Sequence, residues 1–420
     1  MEEVLAAASG RELVTVWLDT SSWRVDASVR ERVFAGGWLR TLFGELGGGR
    51  EELRTVLPQQ AFDLTRPATR LMLADGHLVT ARADVQHLAM RMQRASDKLR
   101  EAIGMMEEET LEDSWSDGLA TAQRLVFAAQ APDAYLMPTD HAHSQRQVHE
   151  ATLARLITAE LTVDALMQGP DDWLTVEEED RDGDLVDELM LGNARVAAWA
   201  VPAEDGSLVT LDDRRAGRNL LAVGPQHDRL RSWVLEEGTT SEEFFAGGAV
   251  DLVLSSTLCE VAERHDDEEA GAFSLTMRQE HDLEGGQGRG LRLDKRLRLP
   301  VDSAEVSLTF EAELHGAPPI LLATEIPLSL GQELPRLWSD GKEVSLASRG
   351  LSSAKHLRLV AADGTGVEVL LDPPQEVWIG GVLGSEDVGV VLVPILHVNG
   401  QARGEVILRL IEPTPASEAS

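Results

Sequence analysis

Apolar positions along this chain change period in the middle of the sequence. Between residues 76 and 170 the period is helical. Val85, Leu88, Met92, Ala95, Leu99 and Ile103 fall three or four residues apart, and Leu153, Ile157 and Leu161 do the same in a later helix. A third helix is predicted between them, around 117–130. From about residue 171 the period is two. Val306, Leu308, Phe310, Ala312 and Leu314 alternate with Ser307, Thr309, Glu311 and Glu313, and Leu291, Leu293, Leu297 and Leu299 alternate with Arg292, Asp294, Arg296 and Arg298. Further strands are predicted near 320–330, 356–361, 366–371, 388–396 and 404–411, separated by Gly, Pro, Asp and Asn. Many short strands with frequent turn signals predict a sandwich of antiparallel sheets. The charged run Glu260–Glu269 and the stretch Gly285–Gly290 read as solvated loops.

Residues 1–75 mix types. Leu13 to Trp17 reads as a short buried strand, and segments around 28–34 and 37–46 read as short helices, the second ended by Gly47-Gly48-Gly49. The expected fold class is therefore α+β, with a mixed segment over 1–75, a helical bundle over 76–170 and a large antiparallel β-sandwich over 171–412. Residues 413–420 are expected to be a disordered tail. The change of period at Gly169-Pro170 predicts a β region able to fold without the helices.

Composition narrows the function classes. The 420 residues carry 72 acidic and 38 basic side chains, a net charge of −34. So acidic a chain repels phosphate backbones and anionic headgroups, so neither nucleic acid nor a membrane surface is an expected partner. No apolar run reaches the ~20 residues of a membrane helix, and the acidic start Met1-Glu2-Glu3 is unlike a signal peptide. A cytoplasmic location is expected. The lone Cys259 excludes an internal disulfide and any thiolate cluster.

Among candidate sites, Asp140, His141, His143 and His149 have ligand chemistry suited to zinc but read better as a polar connection between helices. Asp180, Asp182 and Asp184 imitate the start of a calcium loop, yet the EF-hand glycine and bidentate glutamate positions hold Leu185 and Leu191. A turn is the simpler reading, and no metal or cofactor is assigned. Lys295 interrupts the apolar face of its strand, which predicts a buried carboxylate partner or a position at a sheet margin. Cys259 reads as a core residue. Trp17, Trp23, Trp38, Trp173 and Trp199 sit in apolar contexts that suggest core, whereas Trp115, Trp338 and Trp378 stand beside polar or turn residues and are expected at the surface.

The order of several segments resembles glycoside hydrolase family 57, of the 4-α-glucanotransferase and α-amylase type. These are Val16-Trp17-Leu18-Asp19-Thr20, Gly37-Trp38-Leu39, the helix containing His87-Leu88-Ala89-Met90 and Ser96-Asp97-Lys98-Leu99, and Gln130-Ala131-Pro132-Asp133-Ala134-Tyr135. They continue with Asp180 to Asp184, Leu189 to Asn193, Leu322 to Leu330 and Ser385-Glu386. The resemblance implies that residues 1–75 are the remnant of a glycosidase barrel. It also implies that the helices and β region follow such a barrel, the part that carries the family's nucleophile. Where the family has its acid/base aspartate, this chain reads Gly10-Arg11-Glu12-Leu13-Val14-Thr15, and no aspartate occurs in residues 1–18. A retaining glycosidase needs two carboxyl groups about 5–5.5 Å apart, so no catalytic residue is assigned and Glu12 reads as a surface charge.

The expected function is that of a catalytically degenerate relative acting in assembly or scaffolding, through a second copy or another protein. The alternatives are an α-glucan-binding module, or one subunit of a split enzyme completed by a separate barrel chain. The residues proposed to touch sugar are Trp17, Asp133, Tyr135, Trp338 and Trp378.

Overall fold

The computed structural model describes residues 31, 35–47, 83–108, 113–131, 134–135, 142–169, 172–181, 184–221, 229–252, 258–267, 269–283, 290–331, 333–383 and 388–412. The chain divides into two compact units, residues 1–76 and 77–420. In the first, helix α1 spans Trp38–Gly47, as its apolar spacing predicts. Trp38 is 42% exposed there, a correction to its expected core position. Leu13 to Trp17, Trp23 and the remainder of the short helix at 28–34 lie outside the described residues, as does the tail from 413.

The second unit opens with three helices, α2 (Ala83–Glu108), α3 (Asp113–Ala129) and α4 (Ala142–Gln168). Their shared core is the predicted stripe: Leu88, Ala95 and Leu99 of α2 pack with Leu119, Ala122 and Val126 of α3 and Leu153 and Leu156 of α4. Gly118 of α3 lets that helix approach α4, since a Cβ there would lie 2.8 Å from a Leu166 methyl.

The described residues that follow are mostly strands. Five form one antiparallel sheet in sequence order: β1 (Leu174–Glu179), β2 (Glu188–Asn193), β3 (Val196–Val201), β4 (Ser207–Asp213) and β5 (Arg218–Asn219). Twelve more are β6 (Arg231–Glu236), β7 (Glu260–Asp267), β8 (Ala272–Asp282), β9 (Gly290–Pro300), β10 (Glu305–His315), β11 (Ile320–Leu328), β12 (Arg336–Ser339), β13 (Lys342–Val344), β14 (Gly350–Val360), β15 (Gly366–Leu383), β16 (Val388–Val398) and β17 (Gln401–Ile411).

These twelve make one curled antiparallel sheet rather than two separate ones. The first half of β15 pairs with β17, as far as Asp372↔Glu405. After the cis Asp372–Pro373 bond its second half, Glu376 to Leu383, pairs with β16. One arm is therefore β7-β8-β9-β10-β17 and another β6-β11-β16, both joined to one edge of β15, while β14-β12-β13 continues from its other edge. The predicted inward residues meet in the common core between the arms: Leu293, Leu297, Leu308 and Phe310 face Leu322, Ile326, Val390 and Leu392. All nine residues of β11 are buried, because Leu321 and Ala323 on its other face lie in a second apolar cluster with Trp378, Phe244 and Phe245. The last two belong to a short helix, α5 (Ser241–Phe245), started by a capping box between Thr240 and Glu243. Gly380 beneath it has no room for a side chain, since a Cβ would come 2.5 Å from the Phe245 ring.

Residues 260–267 correct the sequence reading. They form strand β7 and pair with β8 instead of looping through solvent. Charge on this strand suits its place at the edge of the sheet, where it discourages further pairing. Of the second expected loop, residues 285–289 lie outside the described residues and Gly290 begins β9. No helix among the described residues is long and apolar enough to cross a membrane.

Candidate functional site

The central strands β2, β3 and β4 of the five-stranded sheet are buried on both faces, one wholly apolar and the other part apolar, part charged. Leu189 and Leu191 of β2, Val196 and Ala198 of β3 and Leu211 of β4 belong to the core shared with the large sheet. Asn193 fastens the same side, its Nδ2 donating to the carbonyls of Pro300 at 2.7 Å and Ser303 at 2.9 Å. On the other face Met190, Trp199, Val201 and Val209 pack against Met90 of α2. A register shift after Trp199 sets Thr210 opposite Trp199 and Leu208 opposite Ala200, which makes Val209 the extra residue of a bulge.

Beside this small apolar cluster lies a buried seam of charge. Arg91, Arg94 and Lys98 occupy one side of α2 at steps of three and four, and Glu160 and Asp164 do so on α4. Arg91 Nη2 donates to Glu160 Oε2 at 2.7 Å and lies 2.7 Å from Asp212 Oδ2 of β4. Arg94 Nη1 is 2.8 Å from Glu160 Oε1, while its Nε and Nη2 grip both oxygens of Glu177 of β1 at 2.7 Å. Lys98 bridges Asp164 and Glu177. Arg214, just after β4, donates from Nη2 to Asp164 Oδ2 at 2.6 Å and from Nη1 to the Asn193 carbonyl at 3.0 Å. Its guanidinium lies 5.2 Å from the centre of the Trp173 ring. Four cations thus meet four carboxylates where two helices cross one sheet.

Burial and charge act against each other here. Burial would raise the Glu160 carboxyl, but Arg91 and Arg94 outweigh it and hold Glu160 at about 2. Glu177 is likewise favoured neutral by burial and brought to about 2 by the hydrogen bonds and charge of Arg94, with Lys98 adding to them. Asp212 goes the other way: burial pushes it up, and Arg91 offsets only part of that. Among the described residues no well-formed hydrogen bond reaches either Asp212 oxygen, so its contact with Arg91 is a charge contact without good alignment. Burial disfavours charge on Arg91 and Arg94 too, yet their carboxylates raise both above the ordinary guanidinium value. Trp199 Nε1 and Thr210 Oγ1 are buried with no hydrogen-bond partner among the described residues.

Perturbed carboxylates are the usual mark of acid–base chemistry. This seam is closed to substrate, however. The cavity beside Arg94, Glu177, Met190 and Trp199 holds about 10 Å³, about the space one water requires. The seam can fix helices against a sheet; it has no room for a reacting ligand.

The residues named for sugar contact are not brought together in the described structure. Trp17 and Asp133 lie outside the described residues. Tyr135 is half-buried against the helical core, and its Oη donates to the Ala129 carbonyl at 2.9 Å, closing the end of α3. Burial pushes its hydroxyl up to about 12. Trp338 on β12 is half-buried and carries the Arg336 guanidinium 4.8 Å over its ring. Trp378 corrects the surface expectation. It is 3% exposed, sealed under α5 with its ring 5.6 Å from Phe244, and its Nε1 donates to Glu376 at 2.7 Å. Its polar neighbour Glu376 shares its face and accepts its N–H, so a polar sequence context accompanies a buried ring.

Other expectations resolve simply. Lys295 is buried and paired, donating to the Asp205 carbonyl at 2.6 Å and to its carboxylate at 2.9 Å. Cys259 is a buried thiol that desolvation pushes up to about 12. Asp180 and Asp184 accept hydrogen bonds from the backbone N–H groups of Leu185 and Val186, as turn residues do. No cluster with metal-ligand composition occurs among the described residues; Asp140, His141 and Asp182 lie outside them. The sequence reading missed Arg91, Arg94, Glu160, Asp164 and Asp212. For the four on helices the available signal was their spacing on the flank of each apolar stripe, which fits a solvated edge equally well; Asp212, on β4, had no such signal.

No protein-family model matches this sequence, and no curated protein matches it. Solved structures do resemble the fold. The 4-α-glucanotransferase of Thermococcus litoralis superposes with a TM-score of 0.59 at 14% identity, over 94% of this chain and 60% of that one. The likeness is one of architecture. This chain spans 60% of the glucanotransferase's length. A putative aldose 1-epimerase from Escherichia coli matches at a TM-score of 0.38 and 12% identity, over 57% of this chain and 99% of that one. A galactose mutarotase-like protein from Clostridium acetobutylicum matches at 0.41 and 10%, over 58% of this chain and 100% of that one. These two scores are too low to carry an argument.

Proposed function

We propose that this chain works by association rather than by catalysis, as a degenerate relative of family 57 glycoside hydrolases serving assembly or scaffolding. The observation that carries the reading is the fate of its perturbed carboxylates. Glu160 and Glu177 are held ionised by arginines, and Asp212, the described carboxyl that burial pushes upward, is sealed against Arg91. A general acid must be protonated near neutral pH and must reach its substrate; none of these meets both conditions. The stretch Gly10 to Thr15, without an aspartate, supports the same reading.

Association finds support on the helices, where Phe127 of α3 is 61% exposed and Met105 of α2 is 38% exposed. Light scattering over a dilution series, in salt that screens the charge of −34, tests this part. The expected result is a mass above that of one chain, or a partner recovered from lysate that Phe127→Asp releases. A monomer with no such partner overturns it. The purified chain is expected neither to shorten nor to redistribute maltooligosaccharides; new chain-length products above a blank would overturn the non-catalytic reading. The alternative of a split enzyme calls for a separate barrel chain that restores activity on mixing.

A further inference from the structure

After β6 the chain leaves the large sheet and comes back to it at the same place. The Val234 N–H donates to Asp251 Oδ1 at 3.1 Å, and the Leu252 N–H donates to the Val234 carbonyl at 2.7 Å. Residues 237–250 therefore form a loop whose two ends are pinned beside one residue of β6, as in an Ω-loop. Its centre is α5. Among the described residues the backbone hydrogen bonds of this loop close within Glu236–Ala249. Thr239 donates to the Glu236 carbonyl, Phe244 to Thr240, Ala246 to Glu242, and both Gly248 and Ala249 to Glu243. The capping box of Thr240 and Glu243 is internal too. The loop thus carries its own local fold and rests on the sheet through the side chains of Phe244, Phe245 and Ala249.

The floor beneath is fixed by other means. Trp233 Nε1 donates to Glu325 Oε2 at 2.8 Å, and Trp378 Nε1 donates to Glu376 Oε1 at 2.7 Å. The Arg231 guanidinium lies 4.4 Å over the Trp233 ring. Phe244 meets Trp233 edge-on at 5.4 Å and Trp378 at 5.6 Å. Both phenylalanines are only half-buried, whereas Trp378, Leu321, Val391 and Val393 under them are almost wholly covered. Closure therefore shields the floor well and gains only part of the burial energy of the two rings that shield it.

Glycines bracket the helix. Gly238 has a φ of +99° and Gly247 a φ of +72°, and among the described residues nothing stands within 4 Å of where a Cβ would be at either. Both can change backbone conformation without a clash. A pinned base, free hinges and attachment by side chains are the marks of a segment that opens locally, below the free energy of global unfolding. We propose that residues 238–250 are a lid that swings on Gly238 and Gly247 and uncovers the Trp378 face while both sheets stay folded. This goes beyond the assembly reading and is independent of it, because the motion belongs to a single chain.

Hydrogen exchange of the full chain, followed by NMR, tests the lid. The Trp378 indole resonance is assigned with Trp378→Phe, and the ladder amides of β11 report global opening. A hydrogen-bonded indole 3% exposed would, without a lid, be protected as strongly as that ladder. With a lid, Trp378 is expected to be protected about a hundredfold less, and urea below the unfolding transition should leave its rate unchanged, since local opening exposes little surface. Three variants sharpen the test. Phe245→Ala removes the ring that lies on Gly380, and Gly380→Ala sets a methyl against that ring; each should lower Trp378 protection about tenfold. Leu191→Ala, in the core of the two sheets, should lower β11 protection about a hundredfold and leave Trp378 unchanged. Equal protection of Trp378 and β11, a parallel fall of both in Leu191→Ala, or no change at Trp378 in Phe245→Ala and Gly380→Ala overturns the proposal.

Discussion

The two faces of the five-stranded sheet are built from the same strands and solve opposite problems. Toward the large sheet, Leu189, Leu191, Val196, Ala198 and Leu211 need only apolar surroundings of about the right volume. Toward the helices, Glu177 and Asp212 need particular partners at particular distances. Apolar packing tolerates exchange and is non-directional. An ion pair out of water is directional, and losing one partner leaves a buried charge behind. The helix-facing side thus fixes the position of α2 and α4 more narrowly than it adds stability. The helices and strands of residues 77–420 lie in one compact unit, within which the sequence suggests a division at 170.

The comparison can be broken most severely by cutting at that division. A fragment from Asp171 keeps Glu177, Asp212 and Arg214 but loses Arg91, Arg94, Lys98, Glu160 and Asp164. It is expected to lose cooperative unfolding in a thermal melt. A sharp transition in that fragment would show that the seam is dispensable, as the change of period first suggested. In the full chain, Arg91→Ala strands Asp212, leaves Glu160 with Arg94 alone, and should cost about 3–5 kcal/mol in urea unfolding. Replacing the pair by Arg91→Met with Asp212→Leu should recover much of that loss, because the buried charge and its misaligned contact disappear together.

On the opposite face, Leu191→Ala empties a fully buried position and should cost about 3 kcal/mol. Leu191→Met should cost under about 1.5 kcal/mol. That tolerance of a conservative exchange separates the two faces; Arg91→Lys should not share it, since one ammonium cannot reproduce the reach of the guanidinium.

Acid should act on the charged face alone. Glu160 and Glu177 have folded values near 2, below the ordinary carboxylate value of about 4.3. Their contribution is present above that ordinary value and is lost as pH falls toward 2. Asp212, shifted upward, has the opposite sign: it favours the folded state when protonated and opposes it as pH rises through its folded value. With two carboxyls against one, stability should drop by about 2 kcal/mol between pH 5 and 3, and Glu177→Gln should flatten that slope. A slope unchanged in this variant would place the acid sensitivity elsewhere. The smallest effect is expected at the exposed pair Arg336–Glu343, where Glu343→Gln should leave the unfolding midpoint unchanged within error, since water screens such a pair.

Much of the architecture follows from the order of residues alone. Alternation from Val306 to Leu314 dictates a strand with one buried face, since side chains in an extended chain point to opposite sides at each step. The helical stripe from Leu88 to Leu99 dictates a bundle in the same way, and both are found with the expected residues inside. Lys295 on an apolar face required a partner, and Asp205 supplies it. These results depend on local period and on the cost of burying unlike groups, which the sequence carries.

What covers an outward face is a different matter. Trp378 looked exposed because its sequence neighbours are polar, but α5, more than 130 residues earlier in the chain, closes over it. Arg91 and Arg94 looked like a solvated helix edge, yet Glu160, Glu177 and Asp212 reach them from 66 to 121 residues away. Charge on a helix reads the same from its own neighbours whether water or a carboxylate lies beyond it. Only the tertiary fold decides which, because it alone sets what stands opposite each side chain and how much water remains between them.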